Sequence, residues 1–187
     1  MNISGSKSSA GNPGRRVAGY LRECAAALLT AVQFALVAAI SFSIALIIST
    51  HFPGSSDSVM IGALWALISA IVVLQDTRSS TIKTAWLRIF GSCIGAVFSA
   101  VYLTFFPFSL AGMGILIGIV VFVCVLLRIP GHLRLAALTV GIVMVISALN
   151  PAIPPVINAA DRFVEVIIGS SVAVCAAWIF QYVLHRE

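Results

Sequence analysis

The sequence predicts an all-α integral membrane protein with six transmembrane helices and both termini in the cytoplasm. Two observations carry this prediction. Hydrophobic residues make up 60% of the 187 residues and charged residues only 9%, whereas a soluble domain carries about 25% charged residues. The chain also contains long runs without any charge, separated by short polar or proline-containing breaks. In such a chain the net charge of +5 reports orientation in the membrane, so no nucleic-acid partner is expected.

The predicted segments follow from these runs in order. Residues 1–23 are polar and basic and are expected to be a disordered cytoplasmic tail. The next charge-free run, 24–56, is too long for the apolar core of a signal peptide. The run 89–127 holds 39 residues, about 58 Å of helix, which suffices for two crossings with a turn at Pro107. The six predicted spans are 25–49, 59–74, 86–104, 110–127, 135–149 and 162–183, within a domain 24–184 that leaves a cytoplasmic end at 185–187.

Basic residues set the predicted orientation. With the N-terminus inside, only Arg162 falls on the outer side, and ten basic residues fall on the cytoplasmic side, where positive charge is normally enriched. The ten are Lys7, Arg15, Arg16, Arg22, Arg78, Lys83, Arg88, Arg128, Arg134 and Arg186.

The two halves of the chain align weakly with each other. An offset of 74 residues places Arg88 on Arg162 and Gly95 on Gly169. Three spans per half would make this a 3+3 inverted repeat, an arrangement found in many transporters. The shortest predicted spans, the second and fifth, occupy equivalent places. A chance alignment of two hydrophobic halves is the alternative.

A polar stripe headed by Arg88 is predicted on the third span. Gly91, Ser92 and Gly95 share its helix face at spacings of three and four residues. At the start of a helix, Arg88 would lie beside free amide groups that favour an anion, and its side chain can hold a carboxylate through two parallel hydrogen bonds. The alternative is topological, with Arg88 reaching the lipid headgroups. We name Arg88 and Ser92 as candidate substrate-binding residues.

A second charged group begins the sixth span. Arg162 lies on the wrong side for orientation, and Glu165 follows it one turn later inside an otherwise uncharged helix. A carboxylate inside a span faces a cavity or a partner. Pairing of Glu165 with Arg162 is favoured over a role in proton coupling, and both residues are candidates for substrate binding.

Five glycines are predicted to serve helix packing, because small residues let helices approach closely within or between subunits. They are Gly91, Gly95, Gly114, Gly118 and Gly169. The sequence shows neither a nucleophile beside a base nor a metal-binding cluster of His, Cys, Asp and Glu. No enzyme activity, metal or cofactor is therefore expected.

The motifs resemble those of one superfamily. The run from Trp65 to Gln75, followed by Arg88-x-x-Gly91-Ser92-x-x-Gly95, resembles the fusaric acid resistance and aromatic acid exporter proteins, to which plant aluminium-activated malate channels are distantly similar. The stretch Arg162-x-x-Glu165-x-x-x-Gly169 is similar to their second-half motif. The resemblance implies a six-helix unit that moves organic anions, often as a dimer. Larger members carry a cytoplasmic domain, and this chain is expected to be the membrane unit alone.

The predicted function is efflux of small organic, including aromatic, carboxylate anions through the cell inner membrane. The expected partners are the lipid bilayer, the anion, a second copy of the chain and a periplasmic adaptor. Two alternatives are open, a passive organic-anion channel and a non-transporting subunit of a larger complex.

Overall fold

The structure, a computed structural model, describes residues 13–49 and 56–184. The described part is all-helical, without β-strands. Its elements are α1 (Pro13–Ser49), α2 (Ser56–Val73), α3 (Arg78–Phe105), α4 (Leu110–Leu126), a 3-10 turn (Pro130–His132), α5 (Leu133–Leu149) and α6 (Pro155–Leu184). Residues 1–12 of the predicted tail, the break at 50–55, the predicted end 185–187, and with them Lys7 and Arg186, lie outside the described residues.

Three helices begin about two turns or more before the predicted spans. Helix α1 starts at Pro13, so residues 13–23 are helical and not a disordered tail. Helix α3 starts at Arg78 because the Thr77 side chain caps it, accepting a hydrogen bond from the Ser80 amide at 3.2 Å. Helix α6 starts at Pro155, and the fixed φ of proline suits a first helical position. The first turns of these helices are polar, so hydropathy does not predict them as helical.

Three helices are long and apolar enough to cross a membrane by length and composition, over Gly19–Ser49, Arg78–Phe105 and Pro155–Phe180. Three further apolar helices are shorter, at Val59–Val73, Leu110–Leu126 and Leu133–Leu149. Crossing of the bilayer by all six helices, and the cytoplasmic position of both termini, stay predictions.

Glycine contacts join α6 to α2 and α3 to α5, which are equivalent pairs of helices under the predicted repeat. Gly169 of α6 packs on the backbone of Ala66 and on the side chain of Ser69 in α2. Gly95 of α3 packs in the same way on Ala136 and Thr139 of α5. An offset of 74 relates the two glycines, and an offset of 70 relates their partners. The same kind of helix crossing therefore occurs twice.

The direction of the helices completes this repeat. Along α2 and α6 the contacts advance together, from Gly62 with Glu165 to Ala66 with Gly169, so these two helices run in the same direction. Helix α3 returns from α2 through the short loop 74–77. It therefore runs opposite to its counterpart α6, as the predicted 3+3 inverted repeat requires.

Candidate functional site

The described helices carry many large apolar side chains outward and bury several polar side chains. Phe105, Leu110 and Leu126 are each 70% exposed or more. The buried polar residues of the described chain are Ser41, Ser69, Thr81, Arg88, Ser92, Ser99, Thr139, Asn158, Arg162, Glu165 and Ser170. An apolar outer surface around a polar interior suits a lipid environment, because water-soluble proteins place their charges outside.

Arg88 lies in the interior, far from any helix end. It is the eleventh residue of α3, so the free amide groups of the first turn are not beside it. Its guanidinium is 2% exposed and donates from Nη2 to the Ser69 hydroxyl at 3.3 Å. Nε has no hydrogen-bond partner in the described chain. The predicted position of Arg88 at a helix start is therefore wrong, whereas the predicted polar face with Gly91, Ser92 and Gly95 is buried as a unit.

Arg162 and Glu165 form the predicted ion pair, with Nη1 and Oε2 2.7 Å apart. Both side chains are buried, and the carboxylate lies directly against Gly62 of α2. Arg162 is the eighth residue of α6 and so is not at a helix start either, because that helix begins at Pro155. A carboxylate of the same chain thus already neutralises this guanidinium.

The structure separates the two arginines along the bundle. Arg88 meets α2 at Ser69, whereas the ion pair meets α2 at Gly62. Seven residues of helix correspond to about 10 Å. Ser92 lies between these levels on another side and accepts a hydrogen bond from Thr139 of α5 at 3.2 Å. The four candidate residues therefore belong to three local contacts and do not converge on one point.

The two equivalent positions on α6 and α3 carry side chains of different size. Glu165 corresponds to Gly91 under the offset of 74, and their neighbours Gly62 and His132 correspond under the offset of 70. In one half the large side chain lies on α6 and meets a glycine. In the other half the glycine lies on α3, and a methyl group added there would be 3.0 Å from the His132 carbonyl oxygen. The carboxylate is therefore present in one half alone.

The predicted packing glycines divide into two groups. Gly91, Gly95 and Gly169 are buried against neighbouring helices, where an added methyl group would collide. Gly114 and Gly118 lie on the exposed side of α4, and an added methyl group would meet no described atom within 4 Å. This second pair serves no contact inside the described chain.

Two partners were missed by the sequence analysis. Ser69 lies in the motif region but carried no role there, and it is the hydrogen-bonding partner of Arg88. Gly62 faces Glu165 and had no sequence signal, because an isolated glycine in an apolar helix is unremarkable. Ser69 and Gly62 lie opposite Arg88 and Glu165 because of the register between neighbouring helices, which the sequence does not state.

The bundle and its buried charges define an integral membrane protein with a polar interior. A family model described as fusaric acid resistance protein-like matches residues 44–176. The chain belongs to this family of membrane transport and resistance proteins, which confirms the resemblance carried by the Arg88 and Arg162 motifs. No curated protein and no solved structure matches the chain.

Proposed function

We propose that the chain exports small organic carboxylates, aromatic acids among them, across the cell inner membrane, with Arg88 binding the anion. One observation carries this proposal. The guanidinium of Arg88 is buried and forms no ion pair with a carboxylate of the described chain. Its one hydrogen-bond partner there is the neutral hydroxyl of Ser69.

The physical argument is the cost of a buried charge. A cation removed from water is destabilising by several kcal/mol unless a counter-charge and hydrogen bonds compensate it. A carboxylate supplies both, because its two oxygens match the fork of the guanidinium. Arg162 lacks this need, since Glu165 lies 2.7 Å away. Arg88 therefore carries the anion-binding role, and Arg162 and Glu165 are proposed to contribute when their own pair opens.

The Arg88→Gln variant tests the proposal. We expect efflux of benzoate from proteoliposomes to fall more than about tenfold, because the counter-charge is lost in a desolvated site. The matched control is Arg134→Gln, which removes an exposed arginine on α5 and should leave efflux unchanged. Unchanged efflux by Arg88→Gln at equal protein density would contradict the proposal. Benzoate movement driven by voltage alone would identify the chain as a passive channel. If the wild type moved no benzoate, the chain would be a non-transporting subunit.

A homodimer is proposed through α4, where Gly114 and Gly118 lie exposed one turn apart. Small residues at this spacing let two helices in a bilayer approach closely. The Gly114→Leu/Gly118→Leu double variant is expected to shift the cross-linked species from dimer to monomer. Val97→Leu, a substitution at an exposed position of α3, is the control. A dimer fraction unchanged by the double variant would show that α4 is not the interface. A periplasmic adaptor is proposed from the family resemblance.

A further inference from the structure

Four helices each carry a buried polar residue that the apolar clusters described below place at a common level of the bundle. These residues are Ser41 of α1, Ser69 of α2, Arg88 of α3 and Ser170 of α6, here called the serine–arginine layer. All four are at most 2% exposed.

Their common level follows from an apolar cluster next to the loop 74–77. The cluster joins the same four helices through Val37, Ala70, Val73, Leu74, Ala85, Ala173 and Ala177. Each member of the layer lies one helical turn from a cluster residue on the same helix face. The pairs are Ser41 with Val37, Ser69 with Val73, Arg88 with Ala85, and Ser170 with Ala173.

In each of the four pairs, the polar residue lies farther from the loop 74–77 than the cluster residue does. In α2 and α3 this follows from chain order, because the loop joins them. In α1 and α6 it follows from a cavity of about 150 Å³ at the loop, which is lined by Thr30, Gln75 and Phe180. Ser41 and Ser170 lie farther from this cavity than Val37 and Ala173. The four polar residues therefore occupy one layer across the bundle.

A second apolar cluster closes the other side of the layer. It consists of Ala45, Ala63, Ala66 and Ile168. Ala45 follows Ser41 by one turn, and Ala66 precedes Ser69 by one turn. The layer is thus enclosed between two apolar clusters in which most side chains adjoining it are alanine.

The layer is not satisfied by its own hydrogen bonds. The hydroxyl oxygens of Ser41 and Ser170 and the Nε of Arg88 are buried without a hydrogen-bond partner in the described chain. Buried polar atoms are normally paired, and an unpaired one costs about 1–3 kcal/mol. Two unpaired hydroxyls and an unpaired N–H of the guanidinium in one layer point to a missing acceptor that carries a negative charge.

We propose that the serine–arginine layer holds the carboxylate group of a small organic monocarboxylate. This inference rests on the proposed function and extends its site to Ser41, Ser69 and Ser170. The guanidinium supplies the charge, and the three hydroxyls donate to the remaining lone pairs of the carboxylate. One positive charge without an ion-paired acid in the described chain favours a monoanion.

Benzoate binding and heat stability of the purified protein in lipid nanodiscs test the layer. Ser41→Ala and Ser170→Ala are each expected to weaken benzoate binding about tenfold, because each removes one hydrogen bond to a charged group. Without benzoate the same variants should unfold about 2–4 °C higher than the wild type, because each removes an unpaired buried hydroxyl. A merely structural serine would instead lower the unfolding temperature.

Ser99→Ala is the matched control, since Ser99 is a buried serine of α3 whose hydroxyl already donates to the Gly95 carbonyl at 2.8 Å. It should leave benzoate affinity unchanged. Suppose that Ser41→Ala and Ser170→Ala both bind benzoate as tightly as the wild type, while Arg88→Gln loses binding. The serine–arginine layer would then be wrong as a carboxylate site, and the proposed function would still stand. Wild-type affinity in Arg88→Gln would overturn both.

Discussion

Gly169→Ala is expected to destabilise the protein by about 3 kcal/mol or more, at the upper end of what overpacking costs. The added methyl group would collide with the carbonyl oxygen of Ala66 and lie 2.8 Å from the Cβ of Ser69. Neither group can move as a flexible side chain would, because one is backbone and the other is a Cβ atom. Relief requires separation of α2 from α6, and with it loss of the contacts around Arg88.

The measurement is the unfolding temperature of the purified variant in detergent, together with its abundance in the membrane. Gly141→Ala provides the matched control, because Gly141 lies in a helix with no described atom within 4 Å of an added methyl group. That control should be neutral or stabilising by up to about 1 kcal/mol, since alanine is the better helix former. Equal stability of the two variants would contradict the close helix crossing.

Glu165→Ala is expected to destabilise the protein by about 3–5 kcal/mol, because it leaves the Arg162 guanidinium buried without its counter-charge. The pair is sealed between α2 and α6, with the carboxylate against Gly62. Removing both members should cost much less than removing one, since a buried ion pair can often be replaced by apolar residues at little cost.

A double-mutant cycle measures this difference. Heat stability is compared for Glu165→Ala, Arg162→Leu and the combined variant, and a large coupling free energy is expected. Glu23→Ala, which removes an exposed carboxylate on α1, is the control and should be neutral. Additive losses in the cycle would mean that the two charges do not depend on each other.

The sequence predicted the helices better than their ends. Apolar runs located all six helices, and Pro107 marked a break that the structure confirms. The polar stretch Arg78–Ala85 looked like a loop, yet it is helical because Thr77 caps it. This one difference moved Arg88 from a predicted helix start to a position almost three turns inside α3.

The site could be predicted only in part, for a physical reason. Helical periodicity states which residues share a face, so the burial of Gly91, Ser92 and Gly95 with Arg88 was predictable. It does not state which residue of another helix lies opposite, because that depends on the offset between two packed helices. Ser69, Gly62 and Ser170 therefore carried no signal until the helices were placed side by side.

Gly91 stands where the other half has Glu165, so the two related parts of the bundle carry different charges. At one crossing the arginine and the carboxylate cancel, and at the other the positive charge of Arg88 is left over. In the low dielectric of the interior one uncancelled charge acts over many ångströms. Under the proposed function, an anion would therefore be held more strongly near Arg88 than near the neutralised pair of Arg162 and Glu165.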